Sequence, residues 1–302
     1  MKEVVLITGA SGMIAKELAK KIGNEYEIRF LTRKKKHDYE YEWDIKKGSI
    51  DETAFDNVSH IIHLAGANIS EKRWTPERKR ELISSRVDSA ELLRTTLRKN
   101  RIKLKSFISA SGINFYGTKT SEKIYTENDP PGNDFLSEVV VLWERAADDF
   151  KEQDLAERVV KIRTAVVLSE KDGALKKMIP PIQYYIGSPL GSGQQYMPWV
   201  HIDDICSIYE FALKNPTMDG AYNAVSPQHA TNKDLTKKIA KVLGRPLLMP
   251  NIPGFVLKLL FGELANAILE GSRASSKKLQ DEGFRFKFPD LNKALENLLQ
   301  KQ

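Results

Sequence analysis

The first twenty-two residues set most of what this chain can fold into. An apolar, β-branched run, Val4-Val5-Leu6-Ile7, leads straight into Thr8-Gly9-Ala10-Ser11-Gly12-Met13-Ile14-Ala15 and then Lys16-Glu17-Leu18-Ala19-Lys20-Lys21-Ile22. The first segment has the composition of a buried strand, and the last has the apolar spacing of an amphipathic helix. Gly9 permits a tight turn between them, and Gly12 lets backbone N–H groups approach a ligand without a Cβ in the way. Ala15 is small enough for helix and strand to touch. Strand, glycine turn and helix start in this order build a cradle for a diphosphate, because the first helical turn offers unpaired donors and a positive dipole end. The pattern assigns Thr8, Gly9, Ser11, Gly12, Met13 and Ile14 to dinucleotide binding.

The first half of the chain goes on alternating strand-like and helix-like segments, the order of a parallel sheet. Glu27 to Thr32 reads as a second strand, a short one ends near Trp43-Asp44, and Ser59 to Leu64 and Ser106 to Ser111 follow. A helix is predicted around 76–99, and another from the spacing of Leu136, Val140, Trp143, Ala147 and Phe150. Arg158 to Leu168 reads as the next strand. Together they predict an α/β fold: a doubly wound parallel sheet forming a dinucleotide-binding domain over 1–168, with 198–226 returning to it.

Beyond residue 170, Pro180-Pro181, Gly187-Ser188-Pro189, Gly191-Ser192-Gly193 and Pro198 are loop signals. Residues 169–302, with a C-terminal segment 248–302, are expected to form a smaller α+β lobe on the substrate side. It would rest over the carboxyl ends of the strands, where ligands sit in open sheets. Phe284 to Pro289 alternates as a short strand, and Leu291 to Leu299 reads as a closing helix.

Composition narrows the function classes. The 302 residues, 41% hydrophobic and 29% charged, describe an ordinary globular chain with ample core. Cys206 is the single cysteine, so an internal disulfide and a thiolate metal cage are excluded, and it reads as buried filler in a reducing compartment. His60 and His63 stand three apart, on opposite faces of a strand, so no metal site is expected. The start lacks the charged region and cleavage site of a signal peptide, which with the lone cysteine predicts a cytoplasmic protein. The apolar stretch Ile252 to Leu269 is broken by Lys258, Glu263 and Asn266 and reads as amphipathic helix, not a membrane span. A net charge of +7 raises nucleic acid as a partner. The basic residues Arg94, Arg98 and Lys99 fall on a solvated helix face, and no aromatic binding strand accompanies them. A small-molecule substrate is the expected partner.

About twenty residues past the glycines, a dinucleotide site usually places an acid for the adenosine ribose hydroxyls. Thr32-Arg33-Lys34-Lys35-Lys36 stands there instead. An acid would repel a 2′-phosphate, whereas Arg33 offers it a forked, charge-assisted contact with Lys34 nearby. Thr32, Arg33 and Lys34 are therefore cofactor candidates, and NADP(H) is favoured over NAD(H). Asp44, ending the next strand, is a candidate acceptor for the adenine amino group, or a turn cap after Trp43.

Thr8 to Ala15, His63-Leu64-Ala65-Gly66, Ser109-Ala110-Ser111, Phe115-Tyr116-Gly117 and Val200-His201-Ile202-Asp203-Asp204 resemble the extended short-chain dehydrogenase/reductase superfamily. Ala67-Asn68-Ile69, Lys72-Arg73-Trp74, Ser85-Arg86-Val87, Asp134-Phe135-Leu136, Pro189 to Gly193 and Gly283-Phe284-Arg285-Phe286 fit its atypical epimerase-like branch, often labelled nucleoside-diphosphate-sugar epimerase. The resemblance covers nearly the whole chain, including a C-terminal segment of unassigned role. It implies a Rossmann sheet and hydride chemistry on a carbonyl or hydroxyl substrate, with nucleotide sugars as one class. It also implies that Leu64, Ala65 and Gly66 border the cofactor.

The superfamily's proton carrier is a helix-borne Tyr-x-x-x-Lys pair, in which lysine lowers the tyrosine pKa. Phe135 and Val139 occupy those positions, and neither carries a proton. The remaining catalytic candidates are Ser111 at its strand end, Tyr116 on the following loop and Glu138 at the helix start. Arg73, beside Lys72, could meet an anionic substrate at the cleft mouth, and Asn68 lies in the same loop. Gln194 and Gln195 fall in the glycine loop where a nucleotide sugar would be contacted. His201 reads as a structural anchor. The loss of the Tyr/Lys pair keeps a second reading open, a non-catalytic NADP(H)-binding sensor or scaffold.

Overall fold

The computed structural model describes residues 2–300. In β1 (Val4–Thr8), Val5 and Ile7 join one apolar cluster, Val4 and Leu6 join another, and all are buried. A strand apolar on both faces needs cover on both, and a chain that crosses over after each strand supplies it. After β1 come α1 (Met13–Ile22), β2 (Glu27–Thr32) and a hairpin of β3 (Glu40–Asp44) with β4 (Ser49–Ile50). Then follow β5 (Val58–His63), α2 (Pro76–Lys99), β6 (Leu104–Gly112), the short β7 (Ile124–Tyr125), α3 (Phe135–Glu152) and β8 (Ala156–Thr164). The remainder is β9 (Val166–Leu168), α4 (Gly173–Gln183), β10 (Trp199–His201), α5 (Ile202–Lys214), β11 (Gly220–Ala224), α6 (Asn232–Val242), α7 (Gly254–Phe261), α8 (Leu264–Leu269), β12 (Arg273–Ala274), α9 (Lys277–Asp281) and α10 (Leu291–Leu299).

The main sheet runs β11-β8-β6-β5-β1-β2-β3-β4, parallel except for β4. Residues of α1 and α5 pack with Val5 and Ile7, and residues of α2 and α3 pack with Val4 and Leu6. The strand order reverses about β1, whose neighbours are β2 and β5, so the crevice of this doubly wound α/β sheet opens at the carboxyl ends of β1 and β5. Thr8 and His63, the last residues of those strands, are register partners. The chain returns to the sheet through β11, which pairs with β8.

The C-terminal lobe is helical, tied down by two small parallel pairs, β9 with β10 and β7 with β12. Leu279, Leu291 and Leu295 share the apolar cluster of Val5 and Ile7, so lobe and sheet have one continuous core on that face. Cys206 lies in the same cluster, and burial pushes its thiol up to about 12.

Three local expectations are corrected. Arg158 to Leu168 is not one strand: the chain leaves the main sheet at Ala165, and β9 pairs with β10. Pro180 and Pro181 lie inside α4, which Asp172 caps by accepting from Gly173 N–H and which Leu175 and Ile182 anchor by burial. Phe284 to Phe288 is not a strand. Asp204 takes the N–H groups of Lys287 (2.7 Å) and Phe288 (3.0 Å) into a buried carboxylate, which removes them from any ladder. Ile252 to Leu269 folds as two helices broken at Gly262 (φ +60°), and no helix of the described residues is long and apolar enough to cross a membrane.

Candidate functional site

At the end of β1 the backbone turns left-handed at Gly9 (φ +75°), where a Cβ would lie 3.0 Å from the carbonyl of Leu64 and 3.1 Å from the nitrogen of Ala65. Gly12 N–H donates to Gly9 O (2.8 Å) and closes the turn; a Cβ at 12 would stand 3.1 Å from that oxygen. Gly12 is also the N-cap of α1, with no side-chain cap and no acid in the first turn. The N–H groups of Met13 and Ile14 therefore open the helix with its dipole undiminished, and Ser11 and Gly12 are exposed beside them.

Thr8 lies behind this turn. Its Oγ1 accepts from Leu64 N–H and Ala65 N–H, both at 3.0 Å, so its own hydrogen goes to His63 Nδ1 (2.9 Å). That fixes the Nε2–H tautomer of His63, which donates to Ser89 Oγ (3.1 Å). Burial pushes His63 down to about 4, so the ring is neutral. The Thr8 hydroxyl, expected at the cofactor, is thus committed within the protein. It fixes the β5 exit against the glycine turn.

Arg33 and Lys34 are exposed just past β2, and among the described residues Arg33 makes no ion pair. Thr32 Oγ1 donates to the carbonyl of Lys34 (3.4 Å). Asp44 caps its own turn: Oδ1 accepts from Lys46 N–H (3.0 Å) and Lys47 N–H (3.2 Å). The turn-cap alternative is the arrangement found, with one oxygen already shared by two donors.

Beyond β5, Ala65 is buried, Leu64 is half-buried and Gly66 is exposed. Asn68 forms a local turn, its Oδ1 accepting from Ser70 N–H (2.9 Å) and Oγ (3.0 Å). Arg73 is exposed, and its guanidinium lies against Gly262, where a Cβ would meet Nη2 at 3.1 Å. Lys79, with Glu263 at 2.7 Å, makes a second link from this region to the lobe. Gln195 is buried and donates to the carbonyls of Leu190 (3.0 Å) and Ile268 (3.1 Å), leaving Oε1 buried without a partner. His201 caps α5 by accepting from Asp203 N–H (3.0 Å) and stacks on Phe288, an anchoring role.

At the ends of β6, β8 and β11, Ser111, Arg163 and Asn223 are register partners across the strands. Glu144 on α3 accepts from Ser111 Oγ (2.6 Å) and from Arg163 Nε (2.7 Å) and Nη2 (2.8 Å). Tyr116 donates to Asn223 Oδ1 (2.9 Å) and accepts from Arg163 Nη1 (2.9 Å). Burial pushes the Tyr116 phenol up to about 12, so it holds its proton at neutral pH. The structure brings Ser111 and Tyr116 into one buried network. Glu138 stands apart from it, exposed on the first turn of α3, where Lys79, Phe135 and Leu142 line a 610 Å³ groove with it.

A sequence profile described as the NAD dependent epimerase/dehydratase family matches residues 5–225. The chain belongs to this family. A second profile, described as a domain of unknown function (DUF1731), matches residues 252–298. Among epimerase-family relatives, the Epimerase family protein SDR39U1 homolog, chloroplastic, of Arabidopsis thaliana is 33% identical over 306 residues, covering 98% of this chain and 86% of that protein. Epimerase family protein YfhF of Bacillus subtilis is 32% identical over 302 residues, covering 98% and 97%. The crystal structure of human epimerase family protein SDR39U1 (isoform 2) with NADPH matches at TM-score 0.89 and 29% identity, over 99% of this chain and 100% of that one. The nucleoside-diphosphate sugar epimerase from Corynebacterium glutamicum matches at TM-score 0.79 and 28% identity, over 100% of this chain and 59% of that one.

Phe135 packs edge-on to Trp74 with the Lys79 ammonium 4.7 Å from its ring centre, and Val139 is buried. Sequence reasoning missed Glu144, Arg163 and Asn223. One signal was available: Glu144 occupies a core-face position of α3, three or four residues from Val140 and Ala147, where a lone carboxylate demands a buried partner.

Proposed function

We propose that this epimerase-family chain binds NADP(H) at the carboxyl ends of β1 and β5 and exchanges hydride with a carbonyl or hydroxyl group of a small substrate, nucleotide sugars being one class. The cradle carries this reading. Gly9 and Gly12 stand where a Cβ would intrude, and they open an α1 start with no side-chain cap and no acid. Those features fit a diphosphate, which Gly9, Ser11, Gly12, Met13 and Ile14 would hold. Arg33 and Lys34, exposed past β2, would hold the 2′-phosphate, and the NADPH in the human relative's structure supports that preference. Leu64, Ala65 and Gly66 would border the cofactor where the β5 exit meets the glycine turn. When bound, the nicotinamide supplies hydride at its C4.

Ser111, aimed by Glu144, is the group we place at the substrate oxygen, with Tyr116 and Arg163 holding that pair in position. Asn68, Arg73 and Gln195 are the proposed substrate contacts, and Glu138 would serve only a substrate reaching the groove beside α3. We place the activity in the cytoplasm, on a small molecule rather than a nucleic acid or a membrane.

One observation favours a second reading, a non-catalytic NADP(H)-binding sensor or scaffold. Phe135 and Val139 carry no proton, and the Ser111 and Tyr116 hydroxyls are engaged inside the protein. Single-turnover oxidation of bound NADPH against a panel of carbonyl compounds separates the two. Oxidation by at least one class, slowed in Ser111→Ala with cofactor affinity retained, is the expected result. Inertness across the panel, with cofactor-dependent binding of a protein partner, would support the second reading and contradict the first.

A further inference from the structure

Arg86 on α2 is a buried guanidinium with no acid beside it. It is 7% exposed, donates from Nη1 to Leu82 O (2.8 Å) and from Nη2 to Ala67 O (3.1 Å), and lies 4.8 Å from the ring centre of Trp143. Its Nε is buried without a partner. Among the described residues, the other two deeply buried arginines are neutralised: Arg78 by Glu71 and Glu81, Arg163 by Glu144. Burial and the like charge of Arg78 hold Arg86 down to about 10, so it still carries its charge at neutral pH. A buried cation is costly unless something compensates it.

The guanidinium lies directly under Gly66. A Cβ there would be 3.1 Å from Cζ and 3.3 Å from Nε and Nη2. Gly66 is not in the left-handed region, so this close approach, rather than a turn, is what a side chain at 66 would disturb. Gly66 is exposed, and Leu64 and Ala65 just before it are the residues against which the Gly9 turn packs. The charge therefore sits at the edge of the cradle with only a glycine between it and the cleft.

We infer that Arg86 is the built-in counter-charge for the diphosphate of the bound dinucleotide, acting through Gly66 as a window. The inference rests on the cofactor reading above. It makes Arg86 a positioning and affinity residue whose field adds to that of the α1 start.

Calorimetric titration with NADPH at several salt concentrations tests it on the full chain. Arg86→Gln is expected to weaken NADPH about tenfold or more and to flatten the salt dependence, while Arg86→Lys, which keeps the charge, recovers most of the loss. Gly66→Ala, whose Cβ displaces the guanidinium, is expected to weaken binding in the same direction, and it serves if Arg86→Gln fails to fold. Wild-type affinity and salt dependence in these variants would overturn the inference, leaving Arg86 a brace for Ala67. The same result would follow if the anionic group that Arg86 compensates belonged to the substrate rather than to the dinucleotide, and it too would overturn the inference. Failure of the wild-type chain to bind NADPH would instead sink the cofactor reading on which it stands.

Discussion

Thr8 and His63 close the carboxyl ends of two neighbouring strands with a single chain of hydrogen bonds that runs on to Ser89. Because the ring is neutral in the fold, the unfolded chain takes up a proton below about pH 6.5 that the folded chain refuses until about pH 4. Stability from this group is therefore complete above pH 6.5 and declines as pH falls towards 4. Urea unfolding at pH 7 and pH 5 should show the wild type losing about 2 kcal/mol more than His63→Asn over that interval. Equal losses would mean that His63 is not held neutral. At this scale the glycines were legible, since backbone approach needs the missing Cβ and sequence order alone places it. Arg86, Glu144 and Thr8 were not, because their roles depend on partners 19 to 57 residues away.

The segment Phe284 to Phe288 alternates as a strand should, yet the N–H groups of Lys287 and Phe288 go to Asp204 at the start of α5, and that of Phe284 goes to Leu279 O. Alternation reports which side chains are buried, as Phe284 and Phe288 are, but not where the N–H groups find acceptors. The same distinction explains α4, where Asp172 as cap and the buried Leu175 and Ile182 hold a helix through two prolines. Replacing Asp204 by Ala should cost about 2–3 kcal/mol in urea unfolding, through the loss of hydrogen bonds to a buried charged acceptor. A change below about 0.5 kcal/mol would show that the segment is held by its aromatic packing alone. β1 was legible as a continuous apolar run before the glycine turn, and α2 and α3 by apolar residues recurring every three or four positions. The short pairs β7–β12 and β9–β10 are two or three residues long and carry no period to read.

At the scale of the whole molecule, the reversal of strand order about β1 places a crevice where the glycine turn, the β5 exit and the end of β2 converge. The lobe that the DUF1731 profile covers shares its apolar cluster with one face of that sheet, so lobe and sheet form one packed body around the crevice. Two cations near the crevice make no ion pair among the described residues: Arg33 at the surface and Arg86 beneath Gly66. Calorimetric titration of the intact chain and of Arg33→Asp with NADPH and with NADH tests the central claim most directly. The account predicts that the intact chain prefers NADPH, and that Arg33→Asp loses about tenfold or more in NADPH affinity while changing NADH little. Absence of heat with either nucleotide, or equal losses for both in the variant, would contradict it.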